Sequence, residues 1–230
     1  MDKNYEELKK TALELGACCF GVADIREIKY DCFLPKWVVK NLNYGVSIAV
    51  RLSKTILSTV LNYPTKIYFH HYRTVNYLLD QIAIKIVKKI QDKGYNALPI
   101  PASQTTDWEH QRADFSHKKV AILAGIGWLG RNNLVVHPKY GAQIRLVTIL
   151  TDIPLKTDSP LNMGCGECRR CIPVCPVGAI KENPRDFDHI KCYQALRNFV
   201  KKGYVGQYIC GICLRVCDGR RSNLMGKHLP

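Results

Sequence analysis

Apolar residues follow the period of a helix in two places and form short continuous runs in three others. Over residues 4–16 they recur every three or four positions, which predicts an amphipathic helix. Residues 17–23, 43–52 and 95–101 are apolar runs of strand length. Residues 74–93 carry the longest helical stripe, with lysines on the opposite face. This alternation of helices and strands predicts an α/β (α+β) domain.

The pattern continues past residue 100 and then changes in character. Residues 107–124 predict a further helix, and residues 134–137 with 143–151 predict a β-hairpin. The stretch after the hairpin is rich in threonine, serine and proline, which is typical of a domain boundary. We therefore expect one domain over residues 1–155 and a second, smaller one over residues 156–230.

The smaller domain holds eight of the eleven cysteines. The first four have the spacing C-x2-C-x2-C-x3-C and are followed at once by Pro176. This is the bacterial ferredoxin run, in which three thiolates bind one [4Fe–4S] cube and the fourth binds a second cube. The eight residues are Cys165, Cys168, Cys171, Cys175, Cys192, Cys210, Cys213 and Cys217.

The second cysteine run is one ligand short. Cys210, Cys213 and Cys217 supply three thiolates, whereas two cubes need eight ligands in total. Cys192 is the only other cysteine nearby, and a predicted helix over residues 188–201 would present it. Counting therefore assigns Cys165, Cys168, Cys171 and Cys217 to cluster one, and Cys175, Cys192, Cys210 and Cys213 to cluster two.

Two other metal sites remain open at this point. Zinc also binds paired C-x2-C motifs, although two zinc knuckles would not need the ferredoxin-type continuation after Cys171. A three-iron cluster in the second site would leave Cys192 free. Cys18, Cys19 and Cys32 have no C-x2-C partner, so we expect them to pack as small apolar side chains.

The net charge indicates which partners the protein could bind, and the absence of export signals indicates its compartment. Lysine and arginine exceed the acidic residues by +15. Two oxidised cubes with their thiolates lower this surplus to roughly +11. Such a surplus indicates either solvated lysine-rich faces or an anionic partner: nucleic acid, an acidic electron donor or a phosphate-bearing cofactor. The sequence has no secretory signal and no apolar run of membrane-span length, so we expect a cytoplasmic protein without a membrane partner.

Residues 125–133 formally match the dinucleotide fingerprint G-x-G-x-x-G. We reject that interpretation because the motif follows a predicted helix and precedes a strand-like pattern, so no helix N-terminus would hold a pyrophosphate. Glycines around a tryptophan indicate either backbone that approaches a large flat ligand or a tight turn. The candidate ligand-binding residues in this block are Gly127, Trp128, Gly130, Arg131 and Asn132.

Taken together, these stretches resemble the epoxyqueuosine reductase family and, more distantly, the reductive dehalogenases. The residues that carry the resemblance are the opening helix and strand (13–23), the block 124–132, residues 150–152, Pro176 with residues 178–180, and the cysteines, including Cys192. The resemblance implies a corrinoid-type, cobalamin-binding domain over residues 1–155. It also implies a ferredoxin-like module with two [4Fe–4S] clusters over residues 156–230.

The resemblance further implies a path for electrons. A ferredoxin or flavodoxin would reduce the clusters, and the clusters would reduce a cobalamin held by backbone near residues 127–132, with Ser103 in a nearby loop. The cobalamin would reduce a small-molecule substrate or serve another corrinoid protein. The family's catalytic aspartate falls at Pro101 here, so a proton donor would have to be Tyr72, His110 or His117.

Three functions follow as hypotheses. The first is a cobalamin-dependent reductase of the epoxyqueuosine reductase type with an unknown substrate. The second is a non-catalytic electron carrier or corrinoid activator. The third is tRNA epoxyqueuosine reductase itself. The missing aspartate weighs against tRNA as the substrate, and so does the end of the sequence at Pro230, before the family's helical repeats.

Overall fold

The computed structural model describes residues 1–107 and 111–219 of the chain, and this part is a mixture of helices and strands. The helices are α1 (Asp2–Glu14), α2 (Lys36–Val39), α3 (Lys54–Ser58), α4 (Lys66–Asp92), α5 (His117–Leu123), α6 (His189–Lys201) and α7 (Ile212–Val216). The strands are β1 (Cys19–Asp24), β2 (Tyr44–Arg51), β3 (Ala97–Ile100), β4 (Trp128–Leu129), β5 (Val135–Val136) and β6 (Ile144–Thr151). The α/β class is as predicted.

Four strands form one sheet in the order β1-β2-β6-β3. Strands β1 and β2 pair antiparallel, with Cys19 opposite Ala49, and β3 and β6 pair antiparallel, with Ala97 opposite Thr151. β1 and β2 are buried along nearly their whole length, as their continuous apolar runs predicted. Helix α5 packs on β1 and β2, and α1 packs on β1, so the sheet has an apolar helical cover.

Helix α1 shows why the first apolar pattern folds as predicted. Its stripe of Tyr5, Leu8 and Ala12 is buried. Gly16 follows the helix with φ +103°, a left-handed conformation that favours glycine and ends the helix.

Helix α4 is longer than the predicted helix over residues 74–93 and begins at Lys66. Pro64 stands two residues before it, and the hydroxyl of Thr65 accepts a hydrogen bond from the backbone N–H of Tyr68 at 3.3 Å. Although α4 has 27 residues, no helix in the described part of the chain combines the length and apolar character needed to cross a bilayer.

Residues 108–110 of the predicted helix over 107–124 lie outside the described residues, and among the described ones the prediction is wrong before His117. Helix α5 begins only at His117, after Ser116, whose hydroxyl accepts a hydrogen bond from the N–H of Lys119. Gln111 has φ +54°, which no right-handed helix accommodates, and Asp107 instead forms an isolated β-bridge with Arg112.

The predicted hairpin between residues 134–137 and 143–151 is also wrong. Strand β5 pairs antiparallel with β4, so Trp128 lies opposite Val136 in a separate two-stranded sheet. Strand β6 instead pairs with β3 in the larger sheet. Only one isolated bridge, His137 with Gly141, spans the predicted turn.

The chain divides into two compact units, each built from stretches that are separate in sequence. Unit one comprises Met1–Arg51, Val75–Ile126 and Arg145–Leu161, and unit two comprises Leu52–Thr74, Gly127–Ile144 and Asn162–Pro230. Unit one holds the four-stranded sheet. Unit two holds the seven cysteines of the two runs, Cys192, and residues 127–133, which we call the glycine–tryptophan block. The continuous domains over residues 1–155 and 156–230 remain a prediction.

Candidate metal centre

The thiols of the first three cysteines in unit two have Cys217 as their neighbour. Burial raises the pKa of Cys217 to about 11, and the charges of Cys171, Cys165 and Cys168 add to that shift. The pKa of Cys171 also rises to about 11, through burial and then through Cys165 and Cys168. The thiols whose charges act on Cys217 are thus the first three of the first run, and Cys165 and Cys217 pack against the same buried cluster.

The other four thiols form a second set. Burial and then the charge of Cys175 raise the pKa of Cys192 to about 11. Burial, Cys192 and Cys175 raise the pKa of Cys210 to about 12. The pKa of Cys213 rises through burial and then through Cys210, Cys192, Cys171 and Cys175. These neighbours agree with the exchanged ligand sets predicted for the two clusters, and the ligand assignment itself remains a prediction.

The chemistry of these thiols suits iron–sulfur clusters. Buried thiols that raise one another's pKa hold their protons until a cation binds, and a metal core exchanges those protons for strong bonds. The backbone N–H of Ala179 already donates a hydrogen bond to the sulfur of Cys175 at 3.3 Å. A cube binds its thiolates at four separate irons, so they need not converge on one point. Within residues 1–107 and 111–219, no three His, Cys, Asp or Glu side chains form a single-ion site.

Helices α6 and α7 carry two of the predicted ligands of the second set, Cys192 and Cys213. Helix α6 begins after Asp188, whose carboxylate accepts the N–H of Lys191 at 2.9 Å, so Cys192 lies in its first turns. Helix α7 carries Cys213 and begins after Gly211, which has φ +81°. A side chain at Gly211 would lie 2.7 Å from the buried ring of Tyr68, so glycine is required between Cys210 and Cys213.

Residues 52–74 support helix α7 from a distant part of the sequence. The sequence pattern did not predict this support. The ring nitrogen Nε2 of His71 accepts a hydrogen bond from the N–H of Ser53 at 2.9 Å, and Ser53 caps α3. Helix α3 packs on α7. The ring of Tyr63 stacks on Tyr204 with 4.5 Å between centroids. The signal for this segment was the apolar stripe of α4, which extends back to Tyr68.

The glycine–tryptophan block folds against β5 in unit two. A Cβ added to Gly127 would lie 2.3 Å from the carbonyl oxygen of Val136, and one added to Gly130 would lie 2.5 Å from the side chain of Val136. Glycine at both positions thus allows β5 to approach. Trp128 forms a buried cluster with Val136 and Ala142, and the side chains of Cys165 and Cys217 pack against that cluster.

Arg131 binds the loop that carries the first cysteines. Its Nη1 donates to the carbonyl oxygen of Cys168 at 3.0 Å, and its Nη2 donates to the carbonyl oxygen of Gly166 at 2.9 Å. Its Nε lies 3.5 Å from a carboxylate oxygen of Glu182. The Arg131 side chain is only 12% exposed, so its charge is poorly screened. A buried cation therefore lies against the backbone of the first ligand set.

The charges around Cys168 change its titration. Burial alone would raise the pKa of Cys168, but hydrogen bonds from Arg170 and the charges of Arg170 and Arg131 outweigh burial and lower that pKa. The guanidinium of Arg170 also binds the carboxylate of Asp218 at 2.6 Å. A thiolate is thus favoured at this corner of the first set.

Several buried donors of unit two have no hydrogen-bond partner among the described residues. They are Trp128 Nε1, Asn132 Nδ2 and Arg215 Nε. Leaving a buried donor unsatisfied costs about 1–3 kcal/mol. Each lies in the glycine–tryptophan block or, for Arg215, between two cysteines of the second run. Sulfides and thiolates of a cluster are acceptors for such donors, so these residues fit the predicted clusters.

The same residues fit cobalamin less well. Trp128 and Asn132 are buried, at 7% and 3% exposure, and Arg131 is held by the cysteine loop. The side chains of Trp128 and Asn132 are therefore packed within unit two, and only their hydrogen-bond donors lack a partner there. The remaining predicted contact, Ser103, is exposed in the loop after β3 of unit one.

His117, one of the three candidate proton donors, anchors the end of β3. Its Nε2 lies 2.9 Å from the carbonyl oxygen of Pro101, and its Nδ1 lies 2.8 Å from the hydroxyl of Thr148. A carbonyl only accepts, so Nε2 donates and Nδ1 accepts from the hydroxyl. Burial lowers the pKa of His117 to about 4, against the opposing hydrogen bond to Pro101. Arg145 donates to the carbonyl oxygen of Ala102 at 3.2 Å and holds the same turn.

The other two candidate proton donors lie elsewhere. Tyr72 is half-buried in unit two, and its ring centroid is 6.3 Å from that of Tyr68 in an edge-on contact. His110 lies outside the described residues.

Comparison with known proteins identifies the cysteine region first. Residues 164–219 match the family described as a 4Fe-4S double cluster binding domain. An epoxyqueuosine reductase of Cyclobacterium marinum is 27% identical over 251 aligned positions, which cover 96% of this chain and 80% of that protein. An epoxyqueuosine reductase of Bacillus anthracis is 33% identical over 112 positions, which cover 45% of this chain and 29% of that protein.

Solved structures share the fold. A catabolic reductive dehalogenase, NpRdhA, in complex with 3-bromo-4-hydroxybenzoic acid superposes with a TM-score of 0.75 at 18% identity, over 94% of this chain and 32% of that one. The epoxyqueuosine reductase of Streptococcus thermophilus superposes with a TM-score of 0.62 at 21% identity, over 92% of this chain and 65% of that one.

The chain spans less than a third of the curated Bacillus and Listeria relatives, with 29–31% of their length covered. The match to the Cyclobacterium protein nevertheless runs along almost the whole of this chain. An iron–sulfur redox role follows from these relatives and from the double-cluster match. In sequence, therefore, this chain resembles epoxyqueuosine reductases, it shares their fold, and its residues 164–219 match a 4Fe-4S double cluster binding domain.

Proposed function

We propose that the chain takes single electrons from a protein donor and passes them through two [4Fe–4S] clusters in unit two to a reductive reaction. We propose cobalamin as the cofactor at which that reaction occurs, with a small molecule as substrate. The observation that carries the redox part is the match of residues 164–219, which hold all eight cysteines, to a 4Fe-4S double cluster binding domain. The cobalamin part is supported by the relatives alone.

The chain's own residues would tune and connect the clusters. Arg131 places a buried positive charge against the loop of the first set, which favours the more negative, reduced state of cluster one. Cys213 of the second set is close enough to Cys171 of the first for their charges to interact. The two clusters would therefore be neighbours, which short-range electron transfer requires.

The side chains of the glycine–tryptophan block are packed within unit two, so a function without cobalamin is a second candidate. A protein that carries electrons, or that activates a separate corrinoid protein, needs the clusters and no cobalamin of its own. The burial of Trp128 and Asn132 favours this alternative. Epoxyqueuosine reduction on tRNA is the third candidate, because one solved relative is complexed with an epoxyqueuosine-modified tRNA-Tyr stem loop.

Anaerobic reconstitution with iron and sulfide tests the redox part. We expect about eight irons and eight sulfides per chain, and paramagnetic signals of reduced [4Fe–4S] clusters. Cys192→Ser should lose about four irons, whereas Cys32→Ser, which is not among the eight predicted ligands, should lose none. Stoichiometric zinc, or full iron content in Cys192→Ser, would contradict the proposal.

Titration of the reconstituted protein with cobalamin separates the alternatives. Saturable binding with a shifted cobalamin absorbance supports the reductase. No binding leaves the electron carrier. Binding of modified tRNA that weakens steeply as salt increases would support tRNA as the substrate, because phosphate contacts release counterions.

A further inference from the structure

We infer that an outer face of helix α6 is the docking surface for an acidic electron-donor protein, which delivers its electron to cluster two. Ile190, Gln194, Arg197 and Lys201 are spaced by four, three and four residues, so they share one helical face. We call this set the α6 face. The inference rests on the proposed redox function and adds where the donor binds.

The opposite face of α6 points into unit two. Cys192 and Ala195 are three residues apart on that inner face, and Ala195 is buried. One helix, about 10 Å thick, therefore separates a protein bound on the α6 face from the predicted cluster-two ligand Cys192. This places a docked donor close to the cluster without exposing the cluster itself.

The α6 face borders an open groove of about 510 Å³. Its lining residues are Gln194, Arg197, Asn198, Val200, Lys201 and Tyr208. Tyr208 lies two residues before Cys210, and its ring meets that of Tyr193 edge-on at 5.5 Å. The groove is thus built by segments that each carry a predicted ligand of cluster two.

Charge along this part of the chain has one sign. Residues 189–217 contain no aspartate or glutamate, while lysines and arginines occur at five positions. They are Lys191, Arg197, Lys201, Lys202 and Arg215. A partner of opposite charge would be steered to this surface at rates that fall with ionic strength.

Exposed apolar side chains mark the same surface. Ile190 is 67% exposed and Tyr208 is 38% exposed. Exposed apolar side chains on the same helix face as cationic ones are typical of a transient protein–protein contact, and weak electron-transfer encounters need less than about 1,200 Å² of buried area. Phosphates of a nucleic acid backbone are bound by cationic side chains, and Ile190 is apolar. These residues therefore favour a protein partner.

The electron step balances with a flavodoxin as the donor. Its flavin hydroquinone loses one electron and becomes the semiquinone, while one oxidised [4Fe–4S]2+ cube becomes [4Fe–4S]1+. No other reactant is needed.

The test measures cluster reduction in the reconstituted protein by anaerobic stopped-flow absorbance, with an acidic flavodoxin as the reductant. The variant carries Arg197→Glu and Lys201→Glu. The control carries Lys36→Glu and Lys85→Glu, which make the same change in net charge at exposed positions of unit one. We expect the α6 variant to react at least about tenfold more slowly at low salt, with the difference shrinking as salt increases. The control should react within about twofold of wild type.

Two further measurements keep the inference separate from the proposed function. Excess dithionite should reduce the clusters of every variant to the same extent, which shows that both cubes are assembled. The dissociation constant for oxidised flavodoxin should rise in the α6 variant alone. Equal rates in the α6 variant and wild type would overturn the inference. So would an equal loss in the control, or loss of tRNA binding in place of flavodoxin binding. Missing clusters or missing cobalamin binding would instead count against the proposed function.

Discussion

Arg131 donates a hydrogen bond from Nη1 to the carbonyl oxygen of Cys168 at 3.0 Å. Its second nitrogen binds the carbonyl oxygen of Gly166, so one guanidinium holds two points of a three-residue loop. The glycine–tryptophan block is therefore connected to the first cysteine run by a buried charge as well as by packing.

Replacing Arg131 with glutamine should lower the reduction potential of cluster one. Removing a poorly screened positive charge destabilises the reduced state, by on the order of 50–100 mV at an effective dielectric of about 20. Redox titration followed by electron paramagnetic resonance measures this. Glu182→Gln supplies a matched control of opposite sign, with a smaller rise because Glu182 is 60% exposed. Equal shifts of the same sign in both variants would mean that only loop structure has changed.

Trp128→Phe should also lower the potential of cluster one while keeping the protein folded. Phenylalanine retains most of the apolar packing against Val136 and Ala142 but removes the buried indole N–H. If that N–H donates to a cluster sulfur, its loss removes a hydrogen bond that stabilises the reduced state. An unchanged potential with equal or higher thermal stability would show that the donor is simply unsatisfied.

Serine substitutions should reveal the exchange of ligands between the two runs. Cys217→Ser is expected to alter cluster one, although Cys217 follows Cys213 in sequence. Cys175→Ser is expected to alter cluster two, although it belongs to the first run. Because Arg131 borders only the first set, combining each change with Arg131→Gln identifies the affected cluster by its shifted potential. Loss of the same cluster in both serine variants would refute the exchange.

Gly127→Ala should destabilise unit two, by about 2–4 kcal/mol, because the new methyl group would lie 2.3 Å from the carbonyl oxygen of Val136. That oxygen belongs to the backbone and has little room to move. Gly164→Ala is the control, since a Cβ there meets nothing within 4 Å. Thermal unfolding of the reconstituted proteins compares them, and equal midpoints for the two variants would contradict the expected collision.

The imidazole of His117 should stay neutral, with its proton on Nε2, down to about pH 5. Its folded pKa of about 4 lies below the value of about 6.5 expected in the unfolded chain. The unfolded state therefore binds the proton more tightly, and stability falls as pH decreases from about 6.5 towards 4. Nitrogen-15 magnetic resonance of labelled histidine tests the tautomer. A signal that titrates near pH 6.5 in the folded protein would disprove it.

Features encoded locally were predictable from the sequence. The cysteine runs depend on spacings of two and three residues, and residues 164–219 match a 4Fe-4S double cluster binding domain. The division of the eight cysteines into two ligand sets stays a prediction. Helix α6 was expected over residues 188–201 and is present at His189–Lys201. Its capping residue, Asp188, directly precedes it.

Features that depend on distant packing were not predictable. Strands β4 and β5 have two residues each, too few to show a period, so the pairing of Trp128 with Val136 was hidden behind an apparent hairpin. The left-handed backbone conformation of Gln111 interrupts an otherwise helical pattern, and no neighbouring glycine or proline predicts that interruption. Ser53 and His71, which support unit two, lie more than a hundred positions before α7 in the sequence.

Unit two draws residues 52–74 from well before the cysteine runs, and Tyr68 from that stretch covers Gly211 between two cysteines. A recombinant ferredoxin fragment starting near residue 156 would therefore lack one wall of its own cluster site. During synthesis, residues 52–74 leave the ribosome before the cysteines do. The predicted cluster site is therefore complete only after the last cysteines have emerged. Cofactor insertion is thereby made a late event in the biogenesis of the polypeptide.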